Sequence, residues 1–154
     1  MAKFDAKKIS EYIKKSKQPL LVTGSGCDNI QLNGKKLIDY AVQIAEKLNC
    51  PVAATGNTVL TFNKNNKLKV KKMWLAEIFR YLEDGWEDPL LAKKPDILIL
   101  IGYNPEMIDG MVGNTAKIKT VFLGPGRLCS ANKSTGEVTM KEWKQNLEEL
   151  IKAL

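Results

Sequence analysis

The 154-residue chain reads as an α/β protein, a Rossmann-like doubly wound parallel sheet with helices on both faces. Three observations predict it. Four apolar runs of strand length each stop at a glycine: PLLVTGSG (19–26), PVAATGN (51–57), ILILIGYN (97–104) and TVFLGPG (120–126). Amphipathic helical stretches separate these runs, and such alternation calls for parallel pairing with right-handed crossovers. The runs are also continuously apolar, as strands covered on both faces must be. There is no internal repeat or low-complexity segment, and at this length a single domain over residues 1–154 is expected. It would bury roughly two thirds of its unfolded surface.

Taken in order, Phe4 and Ile9 bracket Asp5 as a hydrophobic staple around an N-cap, and Ile9, Tyr12 and Ile13 make a helical stripe over about 6–16. Gln18-Pro19 opens the first strand, 20–23. Leu37, Ile38, Ala41, Val42, Ala45 and Leu48 then recur at helical spacing until Asn49 offers a left-handed stop before Cys50-Pro51. A second strand covers 52–55. In the stretch 57–72, Val59, Thr61, Leu68 and Val70 alternate with polar positions around an Asn/Lys turn, which fits a lysine-guarded edge hairpin or a long loop. Trp74, Leu75, Ile78, Phe79 and Leu82 predict a further helix closed by Asp84-Gly85. The most apolar strand, 97–101, is followed by Asn104-Pro105, an N-cap with proline at the first helical position, and Met107, Ile108, Met111 and Val112 are expected to face inward. After a strand at 119–123, Thr139 and Glu142 form a capping box for a last helix bearing Met140, Trp143, Leu147, Leu150, Ile151 and Leu154.

Composition narrows the chemistry. The chain has no histidine, so Ser–His and Cys–His nucleophilic catalysis cannot occur in it. Its three cysteines, Cys27, Cys50 and Cys129, are odd in number and form no Cys-x-x-Cys pair, which argues against a zinc or iron–sulfur site made by this chain alone. No apolar stretch reaches the roughly 20 residues of a membrane span, and MAKFDAKKIS lacks a signal-peptide core, so a cytoplasmic protein is expected. The formal charge is +7, carried by 22 lysines against only Arg80 and Arg127. Base and phosphate recognition favours arginine's planar fork, so solvation by lysine is the expected use and no nucleic-acid partner is predicted. The charge is uneven: residues 61–80 carry six positive and one negative side chain, and 81–110 seven negative and two positive. A basic face beside an acidic one suggests a docking surface.

The glycine-ended strands are the candidate site. In a parallel sheet all such ends share one edge, where the backbone turns sharply or approaches a ligand. Gly24-Ser25-Gly26 follows the first strand as a dinucleotide fingerprint would, yet the third glycine of G-x-G-x-x-G falls at Asn29. The next helix is expected near Gly34, too late to cradle a pyrophosphate closely. Where the second strand ends, Thr55-Gly56-Asn57 stands in place of a ribose-binding acid. NAD in the usual geometry is therefore disfavoured, while a nucleotide-type site of another geometry and plain turn glycines both stay open. Gly102-Tyr103 ends the third strand, and Gly124-Pro125-Gly126-Arg127 the fourth, where Arg127 is placed to meet a phosphate or a carboxylate, or simply to be solvated. Asp28, Asp96 and Asp109 carry acid–base chemistry in principle, but no spacing pairs them. Trp74 and Trp143 are expected in the core, and Trp86, among four acids, either anchors a partner or packs on the sheet. Cys27 sits beside the first glycine turn.

The segments KKSKQPLLVTGSG, IDYAVQIAEKLNCPVAATGN, LAEIFRYLEDGWEDPLL with KPDILILIGYN, and IKTVFLG with MKEWKQNLEELIKAL resemble the epsilon subunit of the archaeal carbon monoxide dehydrogenase/acetyl-CoA decarbonylase/synthase complex. The resemblance spans nearly the whole chain and extends, less specifically, to the central domain of thiamine diphosphate enzymes and the wider FAD/NAD-binding-like, DHS-like fold. It implies a non-catalytic accessory subunit bound to a large nickel- and iron–sulfur-containing alpha subunit in an alpha2epsilon2 component, stabilising it or helping to pass electrons to FAD. It implies a homo-oligomer in isolation, no catalytic residue and no metal of its own. Gly24, Ser25, Gly26, Gly56, Asn57, Gly102, Tyr103, Gly124, Arg127 and Asn132 would hold a flavin or touch the alpha subunit. Arg127 and Asn132 match an Arg and an Asn in a family segment rich in aromatics, which GPGRLCSANKST lacks. The rival expectation is a stand-alone nucleotide- or flavin-binding Rossmann-like enzyme working through Asp or Lys.

Overall fold

The computed structural model describes residues 4–62, 64, 67–87, 93–114 and 118–154. Asp5 caps α1 (Ala6–Lys14), its carboxylate accepting the Lys8 N–H at 3.1 Å, and Phe4 packs against the core cluster that contains buried Ile9. The first strand, β1 (Pro19–Thr23), is followed by a single turn, α2 (Gly26–Asn29), and a small hairpin of β2 (Gln31–Leu32) and β3 (Lys35–Lys36). Asn33 and Gly34 form its two-residue turn, both at positive φ (53° and 84°), as an inverse-type hairpin turn demands. Then come α3 (Leu37–Leu48), ended by Asn49 in the left-handed region (φ 48°, ψ 44°), and β4 (Val52–Ala54).

The stretch expected as a hairpin or loop is neither. Val59 and Thr61 lie in α4 (Thr58–Phe62), and Val70 opens β5 (Val70–Lys72), which runs parallel to β4. The Asn/Lys turn falls partly outside the described residues. The remaining elements are α5 (Leu75–Asp84), β6 (Ile97–Ile101), α6 (Pro105–Asn114), β7 (Lys119–Phe122), β8 (Lys133–Ser134) and α7 (Met140–Ala153). Asn104 caps α6, its side chain accepting the Glu106 N–H at 3.0 Å, and Thr139 with Glu142 closes the capping box of α7.

The main sheet has the order β5-β4-β1-β6-β7-β8 with every pair parallel. That is the doubly wound order, and the chain reverses direction of winding between β1 and β6. Two cores follow from the alternation of side chains. On one face Ile13, Tyr40, Ile44, Trp143, Leu147 and Leu150 from α1, α3 and α7 cover Leu21, Val52, Ile99 and Val121. On the other, Leu75, Ile78 and Phe79 of α5 and Ile108 and Val112 of α6 cover Leu20, Val22, Leu98 and Phe122. No helix among the described residues is long and apolar enough to cross a membrane.

Candidate functional site at the carboxyl edge of the sheet

Parallel strands deliver their glycine turns to one edge, and at the switch point two of them meet, bringing Gly24, Gly26 and Gly102 together. The Gly24 N–H donates to the Ile101 carbonyl at 2.8 Å and the Gly26 N–H to the Gly102 carbonyl at 2.9 Å. A Cβ on Gly24 would lie 2.5 Å from the Gly102 oxygen, one on Gly26 2.7 Å from it, and one on Gly102 (φ 85°) 2.6 Å from the Cys27 Sγ. Only glycine permits such contact of backbone with backbone. The residues that would open a dinucleotide crevice therefore close it. Above them lies the Tyr103 ring, 2.8 Å from the position of a Gly24 Cβ, with its hydroxyl 3.3 Å from Thr55 Oγ1 at the end of β4. Tyr103 so spans the end of β1 from β6 to β4.

Beneath Tyr103 runs a chain of hydroxyls: Thr55 Oγ1 donates to the Met73 carbonyl at 3.3 Å, Thr58 Oγ1 to the Thr55 carbonyl at 2.6 Å, and Thr58 and Thr23 share a hydrogen bond of 3.2 Å. Each satisfies a polar atom that burial would otherwise leave costly. Burial pushes the Tyr103 hydroxyl up to about 12, the Thr55 hydrogen bond partly opposing it, and drives the buried Cys27 thiol further up from 9.0. Cys27 is thus a small packed side chain. Among the described residues no group of three His, Cys, Asp or Glu side chains is placed to hold a metal ion.

The other predicted positions disperse. Ser25 and Asn57 are exposed, and Gly56 (φ 59°) has open space where a side chain would project. Gly124 is pressed on its own neighbour, since a Cβ there would sit 2.3 Å from the Phe122 ring. Arg127 is exposed. Asn132 clips two strands together, its side chain accepting the Thr120 N–H and its own N–H donating to the Thr120 carbonyl, both at 2.9 Å. Tested on these contacts, the switch point does not fit FAD or NAD in the usual geometry: the crevice is filled by protein, α2 is one turn long, and the end of β4 offers Thr55 in place of an acid.

What the same edge does present is apolar. Trp74, expected in the core, is 62% exposed, and Met107, expected to face inward, is 80% exposed, with Leu60 at 66% and Met140 at 49%. Met111, also expected inward, is 38% exposed, whereas Trp143 is fully buried. Trp74 precedes α5, Met107 lies in the first turn of α6, Met140 starts α7 and Leu60 sits in α4. Trp74, Met107 and Met140 are at helix starts and Leu60 is in the middle of a one-turn helix, places where periodicity continues past the end of the sheet. Trp86 is half-buried and packs against Tyr81, ring centroids 5.7 Å apart. The acidic segment around it runs into residues 88–92, outside the described residues.

Fold and edge together define a Rossmann-like domain whose switch point is closed by its own backbone. No family model matches the chain. It is 27% identical over 149 residues to the acetyl-CoA decarbonylase/synthase complex subunit epsilon 1 of Methanosarcina barkeri, covering 94% of this chain and 84% of that protein. It is 31% identical over 125 residues to subunit epsilon 1 of Archaeoglobus fulgidus (76% of this chain, 64% of that protein), and 26% over 146 residues to subunit epsilon 2 of Methanosarcina mazei (92% and 82%). The chain is a homologue of these epsilon subunits, as its sequence segments lead one to expect.

Proposed function

We propose that this chain is an epsilon-type accessory subunit of a carbon monoxide dehydrogenase/acetyl-CoA decarbonylase/synthase complex, without catalytic residues of its own, that docks on the large nickel- and iron–sulfur-containing alpha subunit in an alpha2epsilon2 component and stabilises it. The observation that carries the reading, beside homology, is the carboxyl edge: a ligand crevice closed by Gly24, Gly26, Gly102 and Tyr103, at the end of the sheet where the helices carrying exposed Leu60, Trp74, Met107 and Met140 follow their strands. Trp and Met are enriched in the buried centres of interfaces. If the role includes passing electrons to FAD, exposed Ser25, Gly56 and Asn57 would be the residues of this edge to hold the flavin, since the crevice itself is filled. Purification of the tagged chain from its native host tests the reading: a large nickel- and iron-rich subunit with carbon monoxide oxidation activity should co-elute. A lone, metal-free protein would refute it and favour the stand-alone enzyme.

A further inference from the structure

At the amino edge of the sheet a cleft of about 460 Å³ is bordered by Gln18, Asn49, Lys67, Lys69 and Lys93, with chain outside the described residues before Lys67 and before Lys93. Another cleft, of about 540 Å³ and likewise within the range of small-molecule sites, lies between the β2–β3 hairpin and the first half of α7. Its lining residues, 31–33 of the hairpin and five side chains between 140 and 148, and their neighbours in the chain are all described. Buried Leu32 and half-exposed Met140 supply its apolar surface. The side-chain amides of Gln31, Asn33 and Gln145 border it, and none of the three hydrogen-bonds to another described residue. Glu148 is committed, taking the Lys144 ammonium at 3.0 Å and the Tyr40 hydroxyl at 3.4 Å. Lys141 makes no ion pair with a described residue, so the cleft keeps one available cation. The walls are tied together in advance. The hairpin turns on Asn33 and Gly34 at positive φ, and Lys35 reaches α3 by donating to Gln43 Oε1 at 2.8 Å and lying 4.2 Å from the centre of the Tyr40 ring. Tyr40 in turn reaches α7 through Glu148.

The geometry points to a binding site for a small monocarboxylate with an apolar body and an amide group, the chemistry of an N-acylated amino acid. Its carboxylate meets Lys141, its body lies over Leu32 and Met140, and its amide exchanges hydrogen bonds with the free Gln and Asn side chains, each both donor and acceptor. A phosphate monoester, with nearly two charges, finds only one countercharge here. The cleft shares Met140 with the proposed docking surface, but it is assayed on the isolated full-length chain, so its failure leaves the docking reading standing. The test is a nuclear magnetic resonance titration of the nitrogen-15-labelled chain with N-acetylleucine and with N-acetylleucinamide, which has the same body and no carboxylate. Saturable shifts should gather at 31–33 and 140–148, with the acid bound about fivefold more tightly than the amide, as one partly exposed ion pair provides. Lys141→Gln should erase that preference and leave the amide's affinity unchanged, while Met140→Ala should weaken both ligands by about threefold. Exposed Lys47→Gln, at the far end of α3, should alter neither. No saturable shift at tens of millimolar, equal affinity for acid and amide, or an equal loss in Lys47→Gln would overturn the proposal.

Discussion

At the carboxyl edge Gly24, Gly26 and Gly102 press backbone on backbone under Tyr103, whereas at the amino edge lysines and amides stand back from an open cleft. Open α/β sheets ordinarily take ligands at the carboxyl edge because the connecting loops part at the switch point. Here the loops meet there instead, and one concave polar space opens at the other end. The switch point is therefore an opportunity that the fold offers and the loops accept or decline, which is why fold alone does not assign function.

The comparison breaks first at Gly102. Gly102→Ala places a Cβ 2.6 Å from the Cys27 Sγ and 2.9 Å from the Gly24 oxygen at a φ of 85°. Urea unfolding should show a loss above about 3 kcal/mol, strain and overpacking acting together. A cost below about 1 kcal/mol would mean that the edge is looser than described. Next, Trp74→Ala should leave chain stability within about 0.5 kcal/mol, since the side chain is exposed, yet weaken capture of the alpha subunit by about 2 kcal/mol. Unaltered capture would move the docking surface elsewhere. The smallest effect is at Tyr103: Tyr103→Phe removes the hydroxyl bonded to Thr55 and should cost about 1 kcal/mol at neutral pH.

That substitution also sharpens the alkaline response. The folded chain holds Tyr103 protonated up to about 12 against an ordinary 10.0, and Cys50 up to about 11 against 9.0, both through burial. Their stabilisation is complete below the unfolded values and is lost as pH rises through the folded ones. Stability should therefore be flat to about pH 9 and fall towards pH 12, with Tyr103→Phe falling less steeply above pH 10 when followed by denaturant melts at each pH.

Local rules made much of the fold legible. The caps at Asp5, Asn49, Asn104 and Thr139 are settled by residues within four positions, and continuous apolar runs announced the strands of the sheet centre. Order was lost where local and long-range signals diverge. The Asn/Lys turn before β5 looks like a hairpin, but a strand that pairs parallel to β4 depends on the whole crossover through α4. The hairpin β2–β3 was signalled by Asn33-Gly34, and its two-residue strands are too short to show a period. At the candidate site, the glycines mark where the strands end but hide their use, because a glycine that admits a phosphate and one that admits another backbone are the same letter. The threonines Thr23, Thr55 and Thr58 carried no pattern, since hydroxyls joined across β1 and β4 are neighbours only in space.

The outermost strands have a further consequence. The sheet ends on β5 with Lys71 and Lys72 on one side and on β8 with exposed Lys133 on the other. A second copy approaching either margin to extend the hydrogen-bonded ladder would bring like charges together, at both ends of the sheet. Fibril-like growth through strand margins is thereby discouraged.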